Sequence, residues 1–465
     1  MTVTRHTGDV LDVLATLPDA TVDLVATSPP FLALRNYNDL PGQWGNESDP
    51  AAFLDRLLTL ATKCRRVLAP HGSIAVELGD TYSGSGGGGG DYHPGGLREG
   101  QIGYAGSEAA RRAGAHAWRR KHPESRAHRS SRRRDQAAGI LPADHRPGPN
   151  RRDEIPGWPM AKSLCLVPTL FAASLAYGHN LLNPTHTFER WRVRNVIVWA
   201  RNNPAPGALA DKYRPATTYI TVATTTTDRW FDLDAVRHPN PRSTETQRQH
   251  RRQPTRGGAR ETNDHITQNP AGAPPLDYWT DHEDQGDGDL AWLVNTQGSS
   301  LAHYAMWPPR LAERLVLSMC PAQVCQTCGQ PRRRQTTTSY VDRNGRAVDA
   351  GGASFVDHTG PKTKQGRRLA KGQPHLNSHA TTDSWTGCGH DNYRPGHVLD
   401  PFAGTGTTLA VADIWGRDAT GIDLDPANHD LYEHRYAQVW RQLGNTTPSP
   451  ITPHGQQLTL TDTTQ

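Results

Sequence analysis

A glycine-rich turn near the C-terminus is the feature that most restricts how this chain of 465 residues can fold. The turn, residues 400–408, reads Asp400-Pro401-Phe402-Ala403-Gly404-Thr405-Gly406-Thr407-Thr408. Hydrophobic patterning predicts a strand over 397–400, a helix over 407–415, a second strand over 418–423 and a long helix from Pro426. Strand, helix and strand at this spacing form a right-handed parallel unit, which predicts an α/β fold.

The residues of this glycine turn also predict a ligand. Two glycines let the backbone approach a bound group, and the free N–H groups at a helix start attract an anionic one. Asp423 ends the second strand, where a carboxylate can bind both hydroxyls of a ribose. Leu409 stands where a dinucleotide fingerprint has its third glycine, and the lysine of a P-loop is missing. The turn therefore indicates a nucleoside site that is neither of these two types.

A second motif, Ser28-Pro29-Pro30-Phe31, follows a predicted buried strand and is called the proline motif below. The N-terminal part is predicted as α/β, with helices over 11–17 and 51–68 and strands over 21–26 and 73–78. Two prolines give a rigid backbone without N–H donors, so the motif presents acceptors, namely the Ser28 hydroxyl and the carbonyl groups. These suit an exocyclic amino group, and Phe31 can stack on a planar base. Alone, such a motif is more often only a turn.

Together the two motifs resemble those of the amino-group DNA methyltransferases. The proline motif is similar to their catalytic S/D-P-P-Y/F sequence, and the glycine turn is similar to their cofactor sequence D-P-F-x-G-S/T-G-T-T. With the catalytic motif near the N-terminus and the cofactor motif near the C-terminus, the order resembles the permuted β group of that family. The resemblance extends to Gly8-Asp9, Arg66-Val67-Leu68, Gly72-Ser73, Gly79-Asp80-Thr81-Tyr82, residues 199–203 and His303-Tyr304-Ala305-Met306-Trp307-Pro308.

This resemblance implies a doubly wound, Rossmann-like fold that binds S-adenosylmethionine and methylates double-stranded DNA. The implied catalytic residues are Ser28, Pro29, Pro30 and Phe31. The implied cofactor-binding residues are Asp9, Asp400, Pro401, Phe402, Gly404, Gly406, Thr407 and Asp423. Asp423 would bind the ribose, Asp9 would lie near the adenine, and the helix from Pro308 would close the methionine side. A target base must leave the duplex to reach such a site, and a cognate restriction endonuclease is an expected partner.

The resemblance also bears on which base is methylated. Serine at position 28, rather than aspartate, is associated in the family with the N4 amine of cytosine, and the N6 amine of adenine is the alternative. Methylation at cytosine C5 needs a nucleophilic cysteine, typically after a proline. None of the six cysteines follows a proline, which excludes C5. A DNA-binding protein that keeps the fold without turnover is a further alternative, against which the intact motifs count.

Cysteine spacing predicts a structural zinc knuckle. A C-x-x-C pair followed by glycine is typical of two thiolates around one zinc ion, and a later C-x-H sequence would complete a Cys₃His set. The predicted ligands are Cys325, Cys328, Cys388 and His390, with Cys320 or His379 as alternatives. The two pairs lie further apart than the usual spacing of about 15–20 residues. Reduced, metal-free cysteines are therefore the competing interpretation.

Basic charge is concentrated in one insert, although the whole chain carries only +5. Thirteen lysines and arginines between Arg111 and Arg152 stand against three acidic residues. This excess suits the phosphate backbone of DNA, or equally a solvated flexible segment. We expect sequence recognition in 242–292 by positional analogy with the family alone.

These observations divide the chain into a catalytic half of the core (1–100), an Arg-rich flexible insert (101–154), continued core (155–238), a target-recognition region (239–292), a core helix closing the cofactor site (293–319), a zinc-knuckle insert (320–394), a cofactor-binding βαβ unit (395–443) and a disordered tail (444–465). The continued core is predicted to hold a helix over 158–177 and strands over 195–199 and 217–223 of the same sheet, and the closing helix is predicted over 308–319. Because the sequence lacks both a run of about 18 apolar residues and a signal peptide's apolar centre, we expect a cytoplasmic protein.

Overall fold

The computed structural model describes residues 1–33, 40–83, 156–201, 213, 215–237, 274–280, 292–293, 307–341, 347–348 and 377–443. The helices are α1 Val10–Thr16, α2 Pro50–Val67, α3 Val167–Tyr177, α4 Pro309–Met319, α5 Thr407–Ile414, α6 Ala427–Asp430 and α7 Tyr432–Leu443. The strands are β1 Val3–Thr7, β2 Val22–Thr27, β3 Leu68–Leu78, β4 His179–Asn180, β5 Asn183–Thr187, β6 Arg192–Ala200, β7 Thr217–Thr224, β8 Tyr278–Thr280, β9 Trp292–Leu293, β10 Gln323–Cys325, β11 Arg334–Val341, β12 Ala347–Val348, β13 Asn377–Trp385, β14 Tyr393–Pro395, β15 His397–Asp400 and β16 Asp418–Asp423.

Several predicted segments lie outside the described residues. They are the Arg-rich insert 101–154, most of the 239–292 region, residues 303–306 of the family resemblance and the tail 444–465. Their predicted roles stay predictions.

One nine-stranded sheet joins the two ends of the chain. Its strand order is β1-β16-β15-β2-β3-β7-β6-β8-β9, and every neighbouring pair is parallel except the two pairs made by β7. The C-terminal strands β15 and β16 are inserted between the N-terminal strands β1 and β2. The proline motif after β2 and the glycine turn after β15 therefore lie at the same carboxyl edge, on neighbouring strands.

Helices cover both faces of this sheet. Alternation along β2 sends Val25 into a core with α1, α2 and α3, whereas Leu24 and Ala26 face a second core with α4, α5 and α7. Phe53 and Leu57 of α2 fill the first core, and Leu311 of α4 belongs to the second. The predicted doubly wound α/β fold is confirmed.

The predicted helix over 158–177 is wrong in its first half, because α3 begins only at Val167. Lys162 and Leu166 have φ of 70° and 59°, a left-handed conformation that a right-handed helix cannot continue through. The Asp80 carboxylate accepts the backbone N–H groups of Leu166 (3.0 Å) and Val167 (3.3 Å) and so begins the helix there.

Two further predictions need correction at the ends of the chain. The long helix predicted from Pro426 is two helices, α6 and α7, that meet at Leu431. Strand β1 was not predicted, because its sequence VTRHT is mostly polar and it becomes a strand by pairing with β16, Val3 opposite Ala419. The predicted strands over 195–199 and 217–223 are confirmed as parts of β6 and β7.

Within the described part of the chain, no helix is both long and apolar enough to cross a membrane.

Candidate active site at the carboxyl edge

A buried carboxylate joins the proline motif to the glycine turn. Asp400 Oδ1 accepts a hydrogen bond from Thr27 Oγ1 at 2.7 Å, and its Oδ2 accepts one from Thr408 Oγ1 at 2.6 Å. The backbone N–H of Phe402 also donates to Oδ1, at 3.1 Å. Burial raises the pKa of Asp400 to about 6, although these three hydrogen bonds stabilise the ionised form and act to lower the pKa. Thr27, directly before the proline motif, and Asp400, 373 residues later, thus share one hydrogen-bonded centre.

Left-handed glycines shape the turn above this carboxylate. Gly404 and Gly406 have φ of 54° and 87°, and Gly406 begins α5. A Cβ atom on Gly406 would lie 2.4 Å from Cδ2 of Tyr432, so both the conformation and the space require glycine there. Thr407 follows at the start of α5, where its Oγ1 accepts a hydrogen bond from Arg435 Nε at 2.9 Å.

The two other predicted carboxylates stand beside the turn at the same edge. Asp423 Oδ2 accepts the N–H of Gly404 at 2.9 Å, and its Oδ1 accepts from Asn428 Nδ2 at 2.9 Å. Asp9 caps α1 by accepting the N–H of Leu11 at 2.8 Å, and the neighbouring Gly8 N–H donates to the Asp423 carbonyl at 3.0 Å. The structure therefore brings both residues to the ends of adjacent strands, β1 and β16.

Helix α4 packs against α5 in the second core, beside this arrangement. The predicted helix over 308–319 is confirmed, with α4 beginning at Pro309. Just before it, Trp307 Nε1 donates to Thr408 Oγ1 at 3.1 Å, and that hydroxyl donates onward to Asp400. Trp307 is thus linked through one hydroxyl to the buried carboxylate.

In the proline motif, Pro29 is buried, while Ser28, Pro30 and Phe31 are partly exposed. Within the described residues, no side-chain hydrogen bond involves the Ser28 hydroxyl. The Phe31 ring packs on the end of β3, where a Cβ atom on Gly79 would lie 2.5 Å from its Cε2. Glycine at position 79 therefore makes room for the ring.

Sequence reasoning missed the loop of residues 40–49, which lies between the proline motif and α2. Its Trp44 is buried, and the indole contacts the Phe402 ring edge-on, with 5.1 Å between centroids. The guanidinium of Arg56 lies over the indole, 4.4 Å from the ring centroid. The local sequence signal for this loop is Asp49-Pro50, a pattern typical of a helix start, which marks where the loop ends.

The four predicted zinc ligands come together away from this edge. The donor atoms of Cys325, Cys328, Cys388 and His390 all lie within 4.8 Å of one another. His390 Nδ1 is 3.6 Å from Cys325 Sγ and 3.5 Å from Cys388 Sγ. The N–H of His390, together with the neighbouring thiols, lowers the pKa of Cys388 to about 6.

Strand pairing explains why the long spacing between the two zinc pairs does not matter. Strands β10 and β14 are antiparallel, with Cys325 opposite Tyr393, so the chain returns to the same place after the intervening residues. Of the alternative ligands, Cys320 is buried at the end of α4 and outside the group of four. The side chain of His379 falls outside the described part of the chain.

A second buried carboxylate, Asp23, lies at the opposite, amino edge of β2. It accepts hydrogen bonds from His71 Nε2 at 2.8 Å, from Arg394 Nη1 at 2.6 Å and from the N–H of His397 at 2.7 Å. Burial alone would raise the pKa of Asp23, but the hydrogen bonds from His71 and Arg394 outweigh it and hold the pKa below its ordinary value. Arg394 belongs to β14, so this ion pair fastens the predicted zinc knuckle to the sheet.

Comparison with known proteins gives a family match over most of the chain. The family model described as DNA methylase matches residues 22–323. The Type II methyltransferase M.Cfr9I of Citrobacter freundii is 26% identical over 234 residues, 50% of this chain and 58% of that protein. The Type II methyltransferase M.SfiI of Streptomyces fimbriatus is 26% identical over 238 residues, 51% of this chain and 39% of that protein. The matches thus span only about half the length of these curated relatives.

Among solved structures, the PvuII DNA methyltransferase (cytosine-N4-specific) aligns with a TM-score of 0.40 and 12% identity, over 96% of this chain and 93% of that one.

Proposed function

Since this chain belongs to the DNA methylase family, we propose that it is a site-specific DNA methyltransferase that transfers a methyl group from S-adenosylmethionine to the N4 amine of cytosine. The observation that carries the proposal is the buried hydrogen bond from Thr27 to Asp400. It links the strand that ends in the proline motif to the strand that ends in the glycine turn. A base acceptor site and a nucleoside site are thereby combined at one sheet edge.

The residues at this edge fit S-adenosylmethionine, which supplies an electrophilic methyl group when bound. The Asp423 carboxylate accepts three hydrogen bonds, from the N–H groups of Gly404 and Asp425 and from the side chain of Asn428. Because two carboxylate oxygens offer about four lone-pair sites, it keeps capacity for ribose hydroxyls. Phe402 presents a partly exposed ring beside the turn, and Asp9 lies at the end of the adjacent strand.

The proline motif provides the acceptors for the target amine. An exocyclic amine is a weak nucleophile because its lone pair is delocalised into the ring. The Ser28 hydroxyl and the Pro29 carbonyl accept hydrogen bonds from its two N–H groups and draw electron density onto nitrogen, and one proton is released as the methyl group is transferred. Such preorganised hydrogen bonds stabilise the transition state. Phe31 stacks on the base after it has left the duplex, which offsets part of the unstacking cost of a few kcal/mol.

Cytosine N4 is favoured over adenine N6 by Ser28, following the family resemblance. We further propose double-stranded DNA as the substrate, residues 239–292 as its recognition region and a cognate restriction endonuclease as a partner. The recognition region rests on the positions of the motifs in the sequence, and the substrate and the endonuclease partner rest on the family resemblance.

The activity is tested by incubating purified protein with plasmid DNA and isotopically labelled S-adenosylmethionine, followed by mass spectrometry of the nucleosides. Labelled N4-methylcytosine is the expected product. Labelled N6-methyladenine would overturn the base assignment but keep the family chemistry, and no labelled base despite cofactor binding would favour a silent DNA-binding protein.

Ser28→Ala sharpens this test. It is expected to lower the methylation rate by about 10²-fold or more, the size of effect seen when one preorganised transition-state partner is removed, while cofactor affinity stays nearly unchanged. Ser384→Ala, at an exposed position of β13, is the matched control. Loss of cofactor binding in Ser28→Ala would refute the acceptor role.

We also propose a structural zinc ion held by Cys325, Cys328, Cys388 and His390. Three thiolates and one imidazole are a donor set typical of closed zinc sites, and the 4.8 Å limit on their separations suits one shared ion. Elemental analysis is expected to find stoichiometric zinc in the wild type and in Cys320→Ser, but not in Cys388→Ser. Zinc-free wild-type protein would instead support reduced cysteines.

A further inference from the structure

The loop of residues 40–49 touches three separate parts of the candidate site. Its Trp44 contacts Phe402 of the glycine turn. The Gly45 carbonyl accepts the N–H of Ala33 at 2.8 Å, just after the proline motif. A Cβ atom on Gly42 would lie 3.5 Å from Oδ2 of Asp9. One loop therefore borders the residues proposed for the base, the methyl donor and its adenine.

An ion pair with α2 holds this loop in place. Glu47 Oε1 accepts from Arg56 Nη1 at 2.9 Å, and Glu47 Oε2 accepts the N–H of Gly45 at 2.8 Å. The Glu47 side chain is only 7% exposed, so solvent screens this pair little. Arg56 also donates to the carbonyls of Gln43 (3.4 Å) and Gly42 (3.3 Å) while it covers the Trp44 indole.

The loop needs such a tie because its own contacts do not favour the observed conformation. Residues 40–49 contain no helix or strand, and Gly45 has a φ of 91°. A Cβ atom on Gly45 would be 2.8 Å from the Phe31 carbonyl oxygen, so the backbones are in close contact. Within the described part of the chain, the buried atoms Trp44 Nε1 and Asn46 Oδ1 lack hydrogen-bond partners, which costs free energy. Other contacts must offset that cost.

We infer that Glu47 and Arg56 are positioning residues that set the distance between the target base on Phe31 and the cofactor beside Phe402. Neither side chain touches the reacting atoms; both act through Trp44 and Gly45. The inference rests on the proposed function for the identity of the two ligands. Because a misplacement of about 1 Å can cost about 10²-fold in rate, the ion pair should affect turnover more than binding.

The test compares Glu47→Gln, Arg56→Gln and the double variant with the wild type. The controls are Arg65→Gln and Glu189→Gln, which break a more exposed ion pair that also involves α2. We expect each single variant to lower kcat by about 10-fold to 10²-fold, with KM for DNA changed less than threefold and folding cooperativity retained. The double variant should be no worse than the worse single variant, because the pair acts as a unit.

Amide hydrogen exchange gives a readout that does not depend on activity. Exchange in peptides covering 40–49 is expected to accelerate in Glu47→Gln and in Arg56→Gln. It is expected to stay unchanged in Arg65→Gln and in Glu189→Gln. Unchanged exchange, or a kcat equal to that of the wild type, would overturn the inference. A wild-type protein that transfers no label would overturn the proposed function instead, and the exchange result would still decide whether the pair orders the loop.

Discussion

The two buried carboxylates of the neighbouring strands β2 and β15 are stabilised in opposite ways. At the amino edge, Asp23 is fully buried and faces the charged or chargeable groups Arg394 and His71. At the carboxyl edge, Asp400 is 2% exposed and is held by two hydroxyls and one backbone N–H. The pKa of Asp23 is therefore held low, whereas burial raises that of Asp400 to about 6.

This difference separates a structural ion pair from a carboxylate to which, in the described part of the chain, no basic side chain is hydrogen-bonded. A buried charge is costly unless it is paired. At the amino edge, Arg394 neutralises the charge of Asp23. Among the described residues, the donors to Asp400 are two hydroxyls and one backbone N–H, none of which carries a positive charge. Such a site favours a cationic ligand, and the proposed cofactor S-adenosylmethionine carries a positive sulfonium.

Breaking the Asp23 pair should give the largest loss of stability. Arg394→Met leaves a carboxylate buried without its main counter-charge, so we expect the free energy of unfolding in urea to fall by about 3–5 kcal/mol. The control is Arg333→Met, whose partner Asp228 is 91% exposed and whose loss should cost about 0–1 kcal/mol. Equal losses in the two variants would show that the amino edge does not depend on this charge.

Changing pH should distinguish the two carboxylates, because a rise in pH changes their contributions to the free energy of unfolding in opposite directions. Because Asp400 has a folded pKa of about 6 against an ordinary 3.8, its contribution to stability is full below pH 3.8 and is lost as pH rises through 6. This amounts to about 3 kcal/mol at most, from about 1.4 kcal/mol per pKa unit. Asp23 acts in the opposite direction, since its stabilisation is present above pH 3.8 and is lost as pH falls through its lowered pKa.

Asp400→Asn measures the Asp400 part directly. Unfolding in urea at pH 4 and pH 7 should show that the wild type loses more stability than the variant on going to the higher pH. A difference between wild type and variant that does not change with pH would show that Asp400 keeps the same charge over this range.

The smallest of these effects is expected at the hydroxyls that surround Asp400. Thr408→Val removes one donor to the carboxylate, which should destabilise the fold by about 1.5–3 kcal/mol at pH 7, as for hydrogen bonds to charged groups. Affinity for S-adenosylmethionine should fall with it, and calorimetry would measure that. Thr16→Val, at an exposed helix end, should stay within about 0.5 kcal/mol of the wild type. If both variants behave alike, the hydroxyl does not support the carboxylate.

The sequence was informative where structure depends on near neighbours. Strand β15, the glycine turn and α5 follow from apolar patterning and from glycines whose left-handed conformation is local. The four residues proposed to bind zinc were predicted from their spacing, and their observed proximity needs only the pairing of β10 with β14.

What the sequence could not predict depends on contacts between distant segments. The start of α3 is set by Asp80, which lies 86 residues before Leu166. Strand β1 forms on β16, and Asp23 finds Arg394 from 371 residues away. The Glu47–Arg56 pair shows no local pattern, since a charged residue on a helix is usually solvated. Only the assembled sheet brings these groups together.

The insertion of β15 between β16 and β2 has a consequence for biosynthesis. Leu24 of β2 pairs with Val398 of β15, so the centre of the sheet is incomplete until the ribosome has made the chain as far as β15. At about 5–20 residues per second, the nascent chain waits roughly 20–70 s with one side of β2 unpaired. An exposed strand edge promotes aggregation, so we expect the nascent protein to depend on chaperones. For the same reason, a truncated translation product would lack the glycine turn and Asp423, and with them half of the proposed site.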